Sequence, residues 1–348
     1  MTVAFSLRQI AMAVANRESA RDGGITVVMP TYNHAHYISE ALDSLFAQTR
    51  LPDRILVLDD ASTDATADAV RPFLIRTPSI DYIRFDENRG VVQMLNVGLD
   101  KVATEFAVFL AADDTLDPTA LQKSIEILRA HPRAPICGLY ARYIDRAGHP
   151  LPTPAGVDFG TKPRYVPPGE CLRHLVRDGA LFGGNGAMYR TASLREHGGF
   201  SPELLSFCDG FRIQDLALSG GICIVPEVLA SWRRSGDSYA ATTLADPQSA
   251  LAILRAIEVQ LKERPYFPPA YASRLLRRWQ FTAALAGIEC APPDKRAVRE
   301  ALRSRSTLVR AFAAAATEVL GRSALVALLA LYLRPFDIVR AFRRRLAH

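Results

Sequence analysis

Two adjacent carboxylates, Asp113 and Asp114, are the residues of this sequence best placed to do chemistry. They follow the apolar run 106–112, which is typical of a buried strand. Two like charges this close repel each other unless a cation or strong hydrogen bonds compensate. Hard divalent cations take oxygen ligands and often join a carboxylate to substrate phosphates. The pair therefore predicts a metal-diphosphate site, and the alternative is a strand-end turn or a helix N-cap.

Two earlier apolar runs end in the same way and indicate the elements that must position the pair. Residues 25–29 lead into the polar segment 30–33, and residues 54–58 lead into Asp59 and Asp60. Residues with helical spacing follow each run. This alternation predicts an α/β domain with a mostly parallel sheet flanked by helices, and with a ligand crevice at its carboxyl edge. The chain lacks G-x-G-x-x-G and P-loop motifs, which argues against a dinucleotide dehydrogenase and a P-loop NTPase.

The motifs at residues 28–33, 57–64, 87–99 and 109–114 resemble the family 2 glycosyltransferases in their order and spacing. The resemblance covers roughly residues 22–240 and implies a GT-A-type, Rossmann-like fold. It implies transfer of a sugar, with inversion, from a nucleoside diphosphate sugar, most simply a UDP-sugar, to a hydroxyl of a glycan. The processive Gln-x-x-Arg-Trp signature is absent after Asp209, which favours a single transfer over polymer synthesis.

The resemblance assigns the nucleotide contacts to the loops after the first strands. Asp60 is expected to accept a hydrogen bond from a ring N–H of uracil, and Tyr32 offers a face for stacking. Arg89 would pair with phosphate or with the base edge, or else be an ordinary surface arginine. For Thr31 and Tyr32 the alternative is a turn with a core aromatic residue. The predicted nucleotide-sugar residues are Pro30, Thr31, Tyr32, Asn33, Asp60, Arg89 and Asp113.

The cation of the resembled family would be Mn²⁺ or Mg²⁺, with Asp114 as the expected direct ligand and Asp113 beside it. Family members often carry a further Asp where this chain has Ala111. Arg233 or Arg234, late in the predicted domain, would contact the diphosphate. A metal at this place would neutralise the charge that develops on the leaving diphosphate.

The general base predicted from the resemblance is Asp209. Family enzymes carry an acidic pair after a Gly-Gly-Phe turn, which is residues 198–200 here, and Cys208 takes the place of the first acid. The rival is Asp215, interpreted as an ordinary acid on the face of a helix. Because a positioned base removes the proton of the acceptor hydroxyl, this residue would contribute about 10²–10⁴-fold in rate.

Two other functions remain open at this point. A sugar nucleotidyltransferase shares the metal-diphosphate logic, but no Gly-rich, basic loop follows the first strand. A non-catalytic nucleotide-sugar-binding subunit would fit the departures at Ala111, Cys208 and Ser235, where the family often has acids and a histidine. Turnover of the donor distinguishes an enzyme from such a binding protein.

Length and charge set the wider organisation of the 348-residue chain. We expect an N-terminal helix or extension at 1–21, a catalytic domain at 22–245 with a nucleotide half (22–140) and an acceptor half (141–245), and a helical region at 246–348. The net charge of +6 favours phosphate-bearing partners, and no nucleic-acid-binding motif is present. Five cysteines without a C-x-x-C motif indicate reduced thiols in the cytoplasm.

The C-terminal residues 308–348 are apolar and then rich in arginine. They predict an amphipathic helix on the inner face of the membrane, which suits a lipid-linked acceptor. The alternatives are a helical cap on the catalytic domain and a homodimer contact. No run reaches the length of a transmembrane span.

Overall fold

The computed structural model describes residues 23–153, 156–234, 238–303 and 322–334. They form two compact units. The first comprises the described residues up to 174, together with 180–200 and 212–234, and the second comprises 175–179, 201–211 and the described residues from 238 onward. The helix expected near the N-terminus, Ser235 and most of the basic tail lie outside the described residues.

A ten-stranded mixed sheet forms the centre of the first unit. Its order is β3-β2-β1-β4-β9-β6-β10-β5, with β7 beside β6 and β8 beside β10. The strands are β1 (Ile25–Thr31), β2 (Arg54–Asp59), β3 (Ile80–Arg84), β4 (Phe106–Phe109), β5 (Thr115–Leu116), β6 (Ile136–Ile144), β7 (Pro150–Leu151), β8 (Arg164–Val166), β9 (Met188–Arg190) and β10 (Ile222–Arg233). The long ladders are parallel, between β1, β2, β3 and β4 and between β6 and β10. The expected α/β fold with a mostly parallel sheet is confirmed.

Helices connect these strands. In chain order they are α1 (Ile38–Phe46), α2 (Thr66–Arg76), α3 (Val91–Lys101), α4 (Ala120–Ala130), α5 (Pro168–Asp178), α6 (Thr191–Glu196), the 3₁₀ helix Pro202–Phe207 and α7 (Cys208–Gly220). Helix α1 has apolar side chains at helical spacing along one face. Three of them, Ile38, Leu42 and Leu45, are fully buried. The strand β1 is mostly apolar and is buried along its whole length, as is typical of a parallel strand that is covered on both faces.

The second unit is helical. It contains α8 (Tyr239–Ala245), α9 (Pro247–Lys262), α10 (Pro269–Glu289), α11 (Lys295–Ala301) and α12 (Arg322–Leu333). Asp246 caps α9 by accepting from the N–H of Ser249 at 2.8 Å, and Pro247 occupies the first turn, where its missing N–H costs nothing. The helical C-terminal region expected from the sequence is thus present.

Membrane-spanning helices and disulfides are both absent from the part of the chain that the structure describes. None of its helices is long and apolar enough to cross a bilayer. All five cysteines are free thiols, and four of them are buried.

Candidate functional site

The loops after β1 and β2 are bound to each other by side-chain hydrogen bonds. The N–H of Asn33 donates to Ser62 Oγ at 2.9 Å, and its Oδ1 accepts from the N–H of Thr63 at 2.8 Å. Asn33 has φ 58, in the left-handed region that asparagine tolerates better than most residues. These hydrogen bonds therefore hold the segment 30–33 against the loop that follows β2.

Asp59 has a structural role in the turn after β2. Its carboxylate is fully buried, accepts from the N–H of Ser62 at 2.7 Å and receives the hydroxyl of Tyr82. Burial and this hydrogen bond raise the pKa of Tyr82, so the phenol stays protonated and donating. Asp59 closes the turn and is not exposed to a ligand.

Asp60 holds the loop that carries Arg89. Its two carboxylate oxygens accept from the backbone N–H groups of Arg89 and Gly90, each at 2.8 Å. Gly90 has φ 87, a conformation open to glycine, and α3 begins at the next residue. The sequence did not foresee these two bonds, because they join residues about thirty positions apart.

Tyr32 and Arg89 are the more exposed members of the predicted nucleotide set. Tyr32 is 44% exposed, so its ring is not part of the core. The guanidinium of Arg89 lies 5.1 Å from the ring centroid of Phe85, and its nearest acid, Glu87, is 3.8 Å away. By contrast, Pro30 and Thr31 are buried at the end of β1 and form the base of this surface.

Asp114 is a buried, hydrogen-bonded carboxylate. It is 2% exposed, and its Oδ1 accepts from the N–H of Arg233 at 2.8 Å while Oδ2 accepts from the side-chain amide of Asn185. Burial and the neighbouring charge of Asp113 raise the pKa of Asp114 well above its usual range. Asp113 is only half-buried, so it is the more accessible carboxylate of the pair.

Arg233 joins the carboxylate loop to two other segments. Its Nε donates to the carbonyl of Asp113 at 2.9 Å, and its Nη1 donates to the carbonyls of Asp145 and Arg146 at 3.0 and 3.1 Å. Its Nη2 pairs with Glu40 at 2.6 Å. Arg233 is 3% exposed and its guanidinium is bound within the protein, whereas Arg234 is exposed.

A metal ion at this edge would need most of its ligands from outside the protein. Among the described residues, no three His, Cys, Asp or Glu side chains gather as a cation site. Asp113 offers one accessible carboxylate, and Mg²⁺ commonly binds one or two carboxylates together with substrate phosphates and water. The residues present therefore fit a cation that arrives with a diphosphate.

The acids near the predicted base differ in their surroundings. Asp209 lies in the second unit, in the first turn of α7, where its Oδ1 accepts from the N–H of Gly210 at 2.6 Å. Burial raises the pKa of Asp209 above that of an ordinary aspartate. Interpreting Asp215 as a helix-face acid was wrong, because it is fully buried in an ion pair with Arg212.

Sequence reasoning missed Asn185 as a member of the site. The glycines of the stretch 182–186 predict a flexible loop, and they do not indicate that Asn185 is the amide partner of Asp114. A buried carboxylate requires such a donor, but nothing local in the sequence says which residue provides it.

Comparison with known proteins matches residues 26–198 to the family model described as glycosyl transferase family 2. An uncharacterised glycosyltransferase of Nostoc sp. is 33% identical over 105 residues, which are 30% of this chain and 33% of that protein. The putative teichuronic acid biosynthesis glycosyltransferase TuaG of Bacillus subtilis is 27% identical over 104 residues, 30% of this chain and 41% of TuaG. The matches thus span about a third to two fifths of these relatives.

Solved structures share the fold at low sequence identity. Staphylococcus aureus TarS 1–349 in complex with UDP-GlcNAc has a TM-score of 0.62 and 16% identity, covering 89% of this chain and 91% of that one. The mannosyltransferase PcManGT of Pyrobaculum calidifontis, in complex with GDP-Man and Mn²⁺, has a TM-score of 0.54 and 21% identity, covering 95% and 93%.

Proposed function

Because this chain belongs to glycosyl transferase family 2, we propose that it is a glycosyltransferase and that it moves a sugar from a UDP-sugar to a hydroxyl of a glycan or lipid-linked saccharide in cell-surface polysaccharide synthesis. The observation that carries the proposal is the meeting of the loops after β1, β2 and β4 at one edge of a parallel sheet. Ligands of open α/β sheets bind at this edge. The UDP-GlcNAc complex of TarS and the name of TuaG support a UDP donor and a polymer product.

The nucleotide would bind to the surface that segment 30–33 and the Arg89 loop form together. Tyr32 would stack on the base, and Arg89 would pair with a phosphate. Asp60 has lone pairs beyond the two used by backbone N–H groups, and one of these would accept the ring N–H of uracil. Thr31, Pro30 and Asn33 would shape the pocket floor.

The proposed reaction is a single displacement. The acceptor oxygen forms a bond to the anomeric carbon as the bond from that carbon to the diphosphate oxygen breaks. The electron pair of the broken bond leaves with the nucleoside diphosphate, and the hydroxyl proton passes to the carboxylate of Asp209. Attack on the face opposite the leaving group inverts the anomeric centre.

Asp113 would hold the divalent cation, with Asp114 orienting the loop beneath it. When bound, Mn²⁺ or Mg²⁺ would neutralise charge on the leaving diphosphate. The Mn²⁺ in the PcManGT complex supports the choice of ion. This assignment differs from the sequence-based one, since both oxygens of Asp114 already accept protein hydrogen bonds.

We also propose that the C-terminal region lies on an anionic membrane surface. Helix α12 packs against α10 through Leu325, Leu329 and Leu333, while Leu328, Leu331 and Tyr332 are exposed on its other side. The sequence beyond it carries arginines at positions 340, 343, 344 and 345. Apolar residues that enter the headgroup region, followed by arginines that pair with phosphates, are the two attractions that such binding needs.

The test of the transfer reaction is release of nucleoside diphosphate from panels of UDP- and GDP-sugars, with Mn²⁺, Mg²⁺ or EDTA. We expect metal-dependent release from one UDP-sugar, lost in Asp113→Asn and reduced about 10²–10⁴-fold in Asp209→Asn. Asp86→Asn, at an exposed turn after β3, is the matched control and should behave as wild type. Donor binding without turnover under every condition would instead indicate a binding protein, and exclusive use of a GDP-sugar would overturn the choice of UDP.

A further inference from the structure

Two aromatic side chains and one arginine form an accessible surface at the ends of β6 and β10. Tyr143 and Trp232 are register partners on these parallel strands, with ring centroids 5.5 Å apart and ring planes at 89°. The guanidinium carbon of Arg234 lies 5.1 Å from each ring centroid. Both rings are half-buried, and Arg234 is exposed. We call Tyr143, Trp232 and Arg234 the aromatic platform.

The aromatic platform is built on rigid backbone. The N–H of Arg234 donates to the carbonyl of Ile144 at 2.8 Å, so the parallel ladder continues to the last residue of the platform. Because neighbouring strands lie about 5 Å apart, the two rings have little freedom to separate. A site on paired strands is held more firmly than one on a loop.

The aromatic platform adjoins the carboxylate pair. Arg233, which lies between Trp232 and Arg234 in the chain, donates its N–H to Asp114 at 2.8 Å. A methyl group placed on Gly183 would lie 3.9 Å from the Trp232 ring and 3.7 Å from Oδ1 of Asn185, the residue whose amide binds Asp114. A molecule that rests on the Trp232 ring therefore lies next to the place proposed for the donor diphosphate.

The chemistry of these three side chains selects one class of ligand. Aromatic rings give a flat apolar surface that suits the C–H face of a pyranose ring. A guanidinium recognises carboxylate and phosphate with paired hydrogen bonds. Among the described residues, no carboxylate is paired with Arg234, whose guanidinium contacts the two rings.

We propose that the aromatic platform binds the acceptor and that the acceptor is an anionic saccharide. Its ring stacks on Trp232, and its carboxylate or phosphate pairs with Arg234. The assignment rests on the proposed transferase function and adds to it the substrate class of the acceptor side. Carboxylate from a uronic acid and phosphate from a polyol phosphate share this chemistry, and the experiment separates them.

Tryptophan fluorescence provides a direct test, because the chain has only two tryptophans. Trp279 is buried in the second unit at 8% exposure, so replacing it in Trp279→Phe leaves Trp232 as the sole reporter. The probes are a galacturonic acid tetramer, a glycerol phosphate oligomer and neutral maltotetraose. Calorimetry on the unmodified chain repeats the titrations, so that the result does not depend on the reporter variant.

We expect at least one anionic probe to change the Trp232 emission and to bind about tenfold more tightly than maltotetraose. Arg234→Gln should remove that preference. Arg76→Gln is the matched control, since Arg76 is also an exposed arginine, 4.9 Å from the Phe46 ring centroid, and should retain the preference. Which anionic probe binds identifies the carboxylate or the phosphate source.

Four outcomes would overturn the inference. Equal binding of neutral and anionic probes would contradict an anionic acceptor. An unchanged preference for anionic probes in Arg234→Gln would contradict it as well. No response to any probe, in a protein that binds and turns over a UDP-sugar, would reject the platform as the acceptor site and leave the proposed function intact. Anionic binding in a protein that binds no nucleotide sugar would reject the proposed function, and the acceptor role with it.

Discussion

Arg233 shows how one side chain can order a site without touching the substrate. Its guanidinium satisfies three backbone carbonyls and Glu40, and its backbone N–H satisfies Asp114. Each buried carbonyl left without a donor costs about 1–3 kcal/mol, which is more than the partly exposed Glu40 pair contributes. Arg233 is thus a positioning residue for the carboxylate pair.

Replacing Arg233 by Met should lower the free energy of unfolding by about 3–5 kcal/mol, because three partly buried backbone carbonyls lose their donor. Chemical denaturation followed by circular dichroism measures the change. Arg234→Met, one position along and exposed, is the control and should stay within about 0.5 kcal/mol of wild type. Equal effects of the two substitutions would contradict the positioning role. Arg233→Lys should not restore stability, since an ammonium group cannot reach the same set of carbonyls.

The raised pKa of Asp209 gives the proposed base a pH signature. A base must be deprotonated, so activity should fall as the pH falls through the raised pKa of Asp209, above the ordinary aspartate value of about 3.9. The acid limb of kcat/KM against pH measures this pKa. In Asp209→Asn the rate should drop about 10²–10⁴-fold and the limb should disappear. An unchanged limb in an active Asp209→Asn enzyme would assign the titration to another group.

At the scale of elements, the turn after α6 illustrates how a short connection is fixed from a distance. Asn96 of α3 accepts from the N–H of Phe200 at 2.9 Å and donates to its carbonyl at 2.7 Å. Gly198 and Gly199 both have positive φ, at 82 and 65. The turn therefore depends on glycine conformation and on one asparagine from another helix.

Two neighbouring substitutions separate these contributions. Gly198→Ala meets no atom within 4 Å and should cost only the left-handed strain, about 1–2 kcal/mol. In Gly199→Ala the new methyl would lie 2.7 Å from Oδ1 of Asn96, so the variant should lose a further 1–3 kcal/mol or so as the Asn96 hydrogen bonds break. Thermal or urea unfolding of both variants compares them. If the two lost the same stability, the Asn96 contact would not matter to the turn.

At the scale of the whole molecule, the chain contains an α/β unit and a helical unit. Most of its arginine-rich end follows α12, whose exposed side carries Leu328, Leu331 and Tyr332, the last two 55% and 48% exposed. The net charge of +6 has the sign that anionic lipids attract.

Leu328→Glu/Leu331→Glu should weaken binding to vesicles that contain phosphatidylglycerol, because it places two charges where apolar side chains would enter the headgroup region. Co-sedimentation measures the bound fraction, and neutral phosphatidylcholine vesicles should retain little protein. Ile75→Glu, at an apolar side chain 83% exposed on α2, is the matched control and should sediment as wild type. A bound fraction that depends neither on the substitution nor on the lipid charge would contradict the membrane proposal.

The sequence by itself determined the strands, the helices and the order of the acidic strand ends, because these follow from periodicity and from residues close in the chain. The turn contact of Asp59 is local in the same way, since its partner Ser62 is three positions away. Only the tertiary structure decided which carboxylate of the pair is accessible, that Asp215 is a buried ion-pair member, and that Arg233 is bound within the protein. These properties depend on burial and on hydrogen bonds between distant residues, such as Asp114 and Arg233, which are 119 positions apart. Local sequence patterns do not indicate such partners, because only the packing of the folded chain brings them together.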